Sequence, residues 1–144
     1  MTTATFVLVQ IGTQKFALDV MSVREFRGWS APTPLPRAPR HVLGMGDLRG
    51  TVIPIVDLGL SLGLGPAAAS PASVIAVVQA PEGLVGLLVD AVCELVTVDP
   101  SRLQPTPKTE AEGPNAAIRG AFNIEGAIFG LIRLDRLVAA ELVQ

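Results

Sequence analysis

Residues 42–53 read VLGMGDLRGTVI, and residues 118–129 read IRGAFNIEGAIF, 76 positions further along the chain. Apolar residues and glycines fall at nearly the same places in both stretches. A second likeness has an offset of 69: FVLVQ at 6–10 corresponds to IAVVQ at 75–79, and 16–26 corresponds to 85–95. This internal repeat predicts two similar halves, at about 4–65 and 72–144, with roughly five strands each.

The segments between the loops are short and rich in β-branched residues, as expected for strands. They lie at 6–11, 15–20, 52–58, 74–79, 84–98 and 127–134. The run at 84–98 also fits a helical stripe, but its valines and Gly86 favour a strand. Each half ends in a helical segment, at 57–62 and at 135–142, and Asp135 is a plausible N-cap.

A sheet of five short strands without a long helix closes most simply into a small barrel. We therefore expect an all-β fold of two small barrels packed together, with short helices near the ends of the halves. An exchange of terminal strands between the halves, 4–65 and 72–144, is left open.

The composition narrows the function further. Of the 144 residues, 49% are hydrophobic and only 17% are charged, so apolar surface beyond one core is expected. The most apolar stretch is interrupted by Asp90 and Glu94, which argues against a membrane span. No secretory signal is visible, and the one cysteine fits a reducing cytoplasm. The 11 basic and 13 acidic residues are scattered, so we expect no nucleic-acid partner.

Residues for catalysis are few. His41 is the one histidine and Cys93 the one cysteine, which gives neither a catalytic triad nor a metal-ligand set. We expect no cofactor and no metal. The glycines at 44–50 miss the dinucleotide and P-loop spacings and are better explained by a turn between strands. Asp57 could be compared with the acceptor aspartate of a receiver domain, but the alternating strands and helices of that fold are missing.

Arg49 and Glu25 are the two charged residues that say most about the function. Arg49 lies between apolar runs that should hold it rigidly, and its planar fork of donors suits partner recognition. The alternative is an internal ion pair with Glu25, Asp47 or Asp57. Arg49 aligns with Glu125 in the repeat, so the barrel itself does not require a positive charge there, which favours a functional role.

Taken in order, these segments resemble the CheW family, the adaptors that couple bacterial chemoreceptors to the histidine kinase CheA. The most specific motifs are LRGTVIPIVDL at 48–58 and VGLLVD at 85–90, and the likeness runs from about 5 to 140. The resemblance implies one CheW-like domain over 1–144, made of two SH3-like five-stranded barrels on a shared apolar interface. It also implies a non-catalytic cytoplasmic protein, not inserted in the membrane but recruited to receptor arrays at it.

The implied partners are the regulatory domain of CheA and the cytoplasmic tip of a chemoreceptor. By motif position, Arg49 and Glu25 correspond to polar residues of a receptor-contacting groove between the barrels, with Val23 and Leu43 as apolar neighbours. Asp47 and Gly50, beside Arg49, complete the predicted receptor- or kinase-binding residues. The sequence departs from the family pattern at Met45-Gly46, which is more flexible than the usual apolar pair. A different class stays open: a small-molecule-binding double barrel, or an enzyme with a site between the halves.

Overall fold

The computed structural model describes residues 2–105 and 118–136, and ten strands lie in these ranges. They are β1 (Ala4–Ile11), β2 (Gln14–Asp19), β3 (Val23–Gly28), β4 (Val42–Leu48), β5 (Thr51–Asp57), β6 (Val74–Ala80), β7 (Gly83–Val89), β8 (Ala91–Val98), β9 (Ile118–Ile124) and β10 (Ala127–Ile132). One short α-helix, α1 (Leu58–Ser61), follows β5. Single 3₁₀ turns occupy Val20–Ser22, Pro100–Arg102 and Leu134–Arg136. The prediction of an all-β protein with short helices is confirmed.

The strands form two five-stranded sheets. The first sheet has the order β8-β1-β2-β10-β9, and the second has the order β3-β6-β7-β5-β4. Each sheet therefore combines two strands from one half of the sequence with three from the other. The ranges 4–65 and 72–144 describe the repeat in the sequence and not the two sheets. The physical reason is that β1 and β6 each pair with a strand from the opposite half, β8 and β3 respectively.

The chain crosses between the sheets at two equivalent places. The first crossing is the 3₁₀ turn Val20–Ser22, between β2 and β3, and the second is Asp90, between β7 and β8. The apolar run at 84–98 is thus two strands in different sheets, and the helical alternative for it is wrong. Asp90 secures its crossing with a carboxylate oxygen that accepts from the Gly12 N–H at 2.7 Å, while its own N–H donates to Gln10 O at 2.9 Å.

The described part of the chain has three apolar clusters, because successive side chains of a strand point to opposite faces. On β1, Val7 and Val9 face a central cluster that includes Val78 and Leu87 from the second sheet. Phe6, whose side chain points to the other face of β1, packs in a second cluster, whose buried residues all lie on strands of the first sheet. We call it the cluster inside the first sheet. A third cluster lies inside the second sheet. The predicted shared apolar interface between two packed β units is the central cluster.

Close packing explains the glycine of the VGLLVD motif at 85–90. A Cβ built on Gly86 would lie 2.8 Å from side-chain carbons of both Ile55 and Ile75. These distances are far below van der Waals contact, so the inner side of β7 accepts only a hydrogen at this position.

The first predicted helical segment is confirmed as α1. Asp57, only 2% exposed, caps it: one carboxylate oxygen accepts from Leu60 N at 3.2 Å and the other from Ala67 N at 2.8 Å. Asp57 thus fastens both α1 and the following loop, and it does not present the exposed carboxylate of a receiver domain. The second segment, 135–142, lies mostly outside the described residues, and Asp135 falls within the 3₁₀ turn Leu134–Arg136.

Loop segments cover the outer edges of β4 and β9 in the same way. Thr33 pairs with Met45, and Gln104 pairs with Ala121, as isolated bridges. A Cβ on Gly44 would lie 2.2 Å from Thr33 O. An edge strand with unpaired backbone groups invites unwanted pairing, and these bridges satisfy part of each edge internally.

Candidate protein-interaction site

Arg49 sits at the tip of the hairpin between β4 and β5. Its φ is 50° and that of the next residue, Gly50, is 90°. Two successive positive φ angles are those of a type I′ turn, whose twist matches the flanking strands. The Asp47 carboxylate accepts from the Gly50 N–H at 3.0 Å and holds the turn closed. The predicted turn between strands is found at Arg49 and Gly50 only, whereas Gly44 and Gly46 lie within β4 and pair with β5.

The hairpin between β9 and β10 contains the same turn. Glu125 has φ 52° and Gly126 has φ 87°, and the Asn123 side-chain oxygen accepts from the Gly126 N–H at 3.1 Å. Two features therefore belong to the turn itself: an Asx oxygen two residues before the tip and a glycine just after it. The turn does not fix the charge at its tip, because Arg49 and Glu125 have the same backbone conformation and opposite side-chain charges.

Arg49 forms a forked ion pair with Glu25 on β3. Its Nη1 lies 3.2 and 3.1 Å from the two carboxylate oxygens, and its Nη2 lies 3.1 Å from Oε1. Of the three partners considered for an internal ion pair, Glu25 is the one that the structure shows. The pair joins the β4–β5 hairpin to β3, the strand at the opposite edge of the second sheet, and so draws the two edges of that sheet together.

The pair remains accessible from solvent. The Arg49 side chain is 70% exposed and that of Glu25 is 26% exposed. Hydrogen bonding to Arg49 holds the pKa of Glu25 below its usual value, and the same contact raises the pKa of Arg49. Both groups are therefore ionised at neutral pH. A largely exposed guanidinium, oriented by a bidentate carboxylate, still has donors that another molecule can reach.

Arg27 is a third member that the sequence reasoning missed. Its Nη1 lies 3.6 Å from Glu25 Oε2, so the carboxylate is shared by two arginines. Strand alternation was the available signal, because residues two apart on a strand share a face. With Arg27 included, the charged cluster carries two guanidinium groups around one carboxylate.

The predicted site residues fall into two groups. Arg49, Glu25, Asp47 and Gly50 meet at the hairpin tip. The two apolar residues lie in different clusters: Val23 packs against the central cluster between the sheets, whereas Leu43 packs against the cluster inside the second sheet.

A cleft of about 930 Å³ lies elsewhere, between the β6–β7 turn and the first sheet. Asp19, Gln79 and Arg119 are among its polar lining residues. The Asp19 carboxylate caps the 3₁₀ turn Val20–Ser22 by accepting from Met21 N at 3.0 Å. Across residues 2–105 and 118–136, no group of three His, Cys, Asp or Glu side chains is placed to hold a metal ion. In the same ranges no helix is long and apolar enough to cross a membrane.

Fold and site together define an all-β protein of two interlocked five-stranded sheets, with an exposed cluster of two arginines around one carboxylate. Comparison with known proteins gives the family. The family model described as CheW-like domain matches residues 5–142, and the chain belongs to this family.

Similar proteins agree in sequence and structure. The chain is 42% identical over 132 residues to "Chemotaxis protein CheW" of Rhizobium meliloti, covering 92% of this chain and 85% of the relative. It is 42% identical over 128 residues to "Probable chemotaxis protein CheW" of Rhizobium etli, covering 89% and 83%. The crystal structure of the scaffolding protein TtCheW from Thermoanaerobacter tengcongensis superposes with a TM-score of 0.86 at 26% identity, covering 99% of this chain and 94% of that one.

Proposed function

We propose that the protein is a non-catalytic adaptor that couples chemoreceptors to the histidine kinase CheA in bacterial chemosensory signalling. The observation that carries the proposal is the match to the CheW-like family across residues 5–142, together with relatives named chemotaxis protein CheW. The protein acts in the cytoplasm and is recruited to receptor arrays at the membrane. Its partners are the regulatory domain of CheA and the cytoplasmic tip of a receptor.

The mechanism is geometric. An adaptor must present two partner surfaces in a constant relative orientation, and the exchange of strands between the two sheets provides one. Because each half contributes strands to both sheets, the two halves cannot separate without breaking β pairing, and the short crossings at Val20–Ser22 and Asp90 tie one sheet closely to the other. The central apolar cluster, continuous from Val7 on β1 to Leu87 on β7, further resists sliding of one sheet on the other.

The receptor tip binds at the charged cluster. In this proposal Arg49 orients a receptor helix through contacts with its side chains or carbonyl groups, while Glu25 holds the guanidinium in position. Asp47 and Gly50 act indirectly, by maintaining the turn that carries Arg49. Val23 and Leu43 supply apolar support from the two clusters against which they pack.

The test is the affinity of the purified protein for a receptor tip and for the CheA regulatory domain. Arg49→Glu is expected to weaken receptor binding at least tenfold, because it reverses the charge at the tip and repels Glu25. The melting temperature should change by no more than about 2 °C, since exposed ion pairs contribute little to stability. The matched control is Glu125→Arg, the same turn position on the other hairpin, which should leave receptor affinity unchanged.

A second variant separates a direct contact from a merely positional one. The charge-swapped double variant Glu25→Arg/Arg49→Glu can re-form the pair with reversed polarity. If Arg49 contacts the receptor directly, this variant stays weak. Recovery of full affinity would show that the ion pair alone matters and would contradict the assigned role of Arg49. Wild-type protein that binds neither partner would instead favour a ligand-binding or enzymatic protein.

A further inference from the structure

Arg27 is the one residue of the charged cluster that has no task in the proposed adaptor. It lies on β3 two residues after Glu25, and in the ladder with β6 Glu25 is opposite Val77 and Arg27 is opposite Ile75. Val77 and Ile75 are buried in the cluster inside the second sheet. Because residues directly opposite each other in a ladder share a face, the Glu25 and Arg27 side chains start from the same face of β3.

Arg49 and Arg27 do not hold Glu25 equally. The Arg49 contacts with the carboxylate are 3.1 to 3.2 Å long, whereas Arg27 Nη1 is 3.6 Å from Oε2. The longer contact is an ion pair beyond the usual length of a hydrogen bond. The pKa of Glu25 is lowered first by hydrogen bonding to Arg49 and also by the charge of Arg27. Arg27 therefore does not displace Arg49 but adds a second positive charge beside the carboxylate.

Glu25 lies where the backbone gives it limited support. β3 is an edge strand of the second sheet, so it pairs with β6 on one side only. The register of that pairing shifts between Val23 and Glu25, just before the carboxylate. A glutamate side chain also loses much rotamer freedom when it is fixed in one place. A neighbour that already limits its motion reduces this cost when Glu25 binds Arg49.

Arg27 suits this task because its contact is local. Arg27 and Glu25 are on the same strand, so their ion pair forms whenever β3 is in place. The Arg49 contact instead joins residues 24 positions apart and depends on where the β4–β5 hairpin lies. Across residues 2–105 and 118–136, the Glu25 carboxylate is the one acidic group within ion-pair distance of Arg27.

We propose that Arg27 is a positioning residue for receptor binding: it holds the Glu25 carboxylate in the orientation in which Glu25 fixes the Arg49 guanidinium for the receptor tip. Arg27 acts through Glu25 and does not itself contact the receptor. The side-chain exposures agree with this order, because Arg49 is 70% exposed and Arg27 is 43% exposed. The proposal rests on the adaptor function, since that function assigns Arg49 to the receptor tip.

The first arm of the test measures the affinity for a receptor tip. Arg27→Gln should weaken it about fourfold, the upper end of what an exposed ion pair contributes, and Arg27→Lys should restore most of the loss because the charge returns. The matched control is Arg24→Gln, which removes the same charge from the same strand and should change the affinity less than about twofold. Arg24 is exposed, and its Nη2 donates to Gln79 Oε1 instead of to a carboxylate.

The second arm follows the Arg49 guanidinium in the free protein. The order parameter of the Arg49 Nε–H group, measured by nitrogen NMR relaxation, should fall in Arg27→Gln and stay unchanged in Arg24→Gln. The melting temperature should change by no more than about 2 °C in either variant, since both arginines are exposed. A lower order parameter at an unchanged melting temperature reports on the position of Arg49 and not on global stability.

The third arm repeats Arg27→Gln in a Glu25→Gln background. If Arg27 acts through Glu25, its replacement should change the receptor affinity less than about twofold there, because the charge that links it to Arg49 is gone. A direct contact between Arg27 and the receptor would instead cause the same loss in both backgrounds.

The outcomes separate the hypotheses. An unchanged receptor affinity of Arg27→Gln overturns the proposal, and a higher affinity overturns it by identifying Arg27 as a competitor of Arg49 for Glu25. A loss of affinity without a change at Arg49 Nε, or an equal loss in the Glu25→Gln background, also overturns it and identifies a direct receptor contact. Wild-type protein that binds no receptor tip overturns the adaptor function and the receptor role of Arg27 with it, whatever the order parameter shows.

Discussion

Replacing Asp57 with alanine tests whether the aspartate of the LRGTVIPIVDL motif is architectural. Asp57 is 2% exposed, and its carboxylate accepts from two backbone N–H groups, that of Leu60 at 3.2 Å and that of Ala67 at 2.8 Å. Loss of an N-cap costs about 1 kcal/mol, and loss of a charged acceptor that leaves a partly buried amide unpaired costs about 2 kcal/mol. We therefore expect Asp57→Ala to lower the free energy of unfolding by about 3 kcal/mol.

Calorimetry or thermal circular dichroism measures the effect. For a chain of this size, each kcal/mol corresponds to about 4 °C, so the melting temperature should fall by about 10 °C. Asp57→Asn should lose roughly half as much, because one side-chain oxygen remains as an acceptor. The matched control is Asp99→Ala, which removes a carboxylate that is less buried than that of Asp57 and accepts from Ser101 N at 2.9 Å. If Asp57→Ala lowers the melting temperature no more than this control, the architectural role is wrong.

Three further results are expected. The pKa of Glu25, followed by carboxyl NMR, should lie below the usual glutamate value of 4.5 and rise toward it in Arg49→Asn, since asparagine tolerates the positive φ of the turn. Because the folded-state pKa is depressed, the stability that this pair contributes should be present above pH 4.5 and disappear as the pH falls through the folded pKa. An unshifted pKa of Glu25 in the wild-type protein would contradict the forked ion pair. Gly86→Val should lower stability by about 1 to 3 kcal/mol or more in chemical denaturation, through overpacking, and a neutral effect would refute the close-packing argument. Phe122→Ala should cost about 3 to 5 kcal/mol in the same assay, and a loss below about 1 kcal/mol would show that the first sheet does not depend on its ring.

Local patterns predicted most of the secondary structure. Runs of β-branched residues located seven of the ten strands, because this signal depends on neighbours in the sequence, whereas β3, β4 and β9 have no matching run among those at 6–11, 15–20, 52–58, 74–79, 84–98 and 127–134. The run at 84–98 was harder, since two strands separated by Asp90 alone present one continuous apolar stretch. Only its pairing shows that β7 and β8 belong to different sheets.

The sequence predicts which residues belong to the candidate site better than it predicts which of them are in contact. The charge of Arg49 between apolar runs marks it in the sequence, whereas Glu25 is marked by the family resemblance and as one of three possible ion-pair partners of Arg49. Asp47 and Asp57 had the same charge and similar settings, but each carboxylate is engaged by backbone N–H groups instead. Val23 and Leu43 looked alike as apolar neighbours, yet they pack into different clusters.

The internal repeat and the period-two pattern are enough to predict a duplicated β structure, because they indicate which residues must be buried. The sequence also determined the family, through motifs whose spacing survives in the chain. Only the folded chain shows which half supplies which strand, and that Glu25 and not another acid pairs with Arg49. These outcomes depend on pairing between residues 24 to 92 positions apart, such as Glu25 with Arg49 and Thr5 with Thr97. A burial pattern does not specify which distant residue a side chain contacts. Long-range pairing is therefore determined only when the whole chain packs.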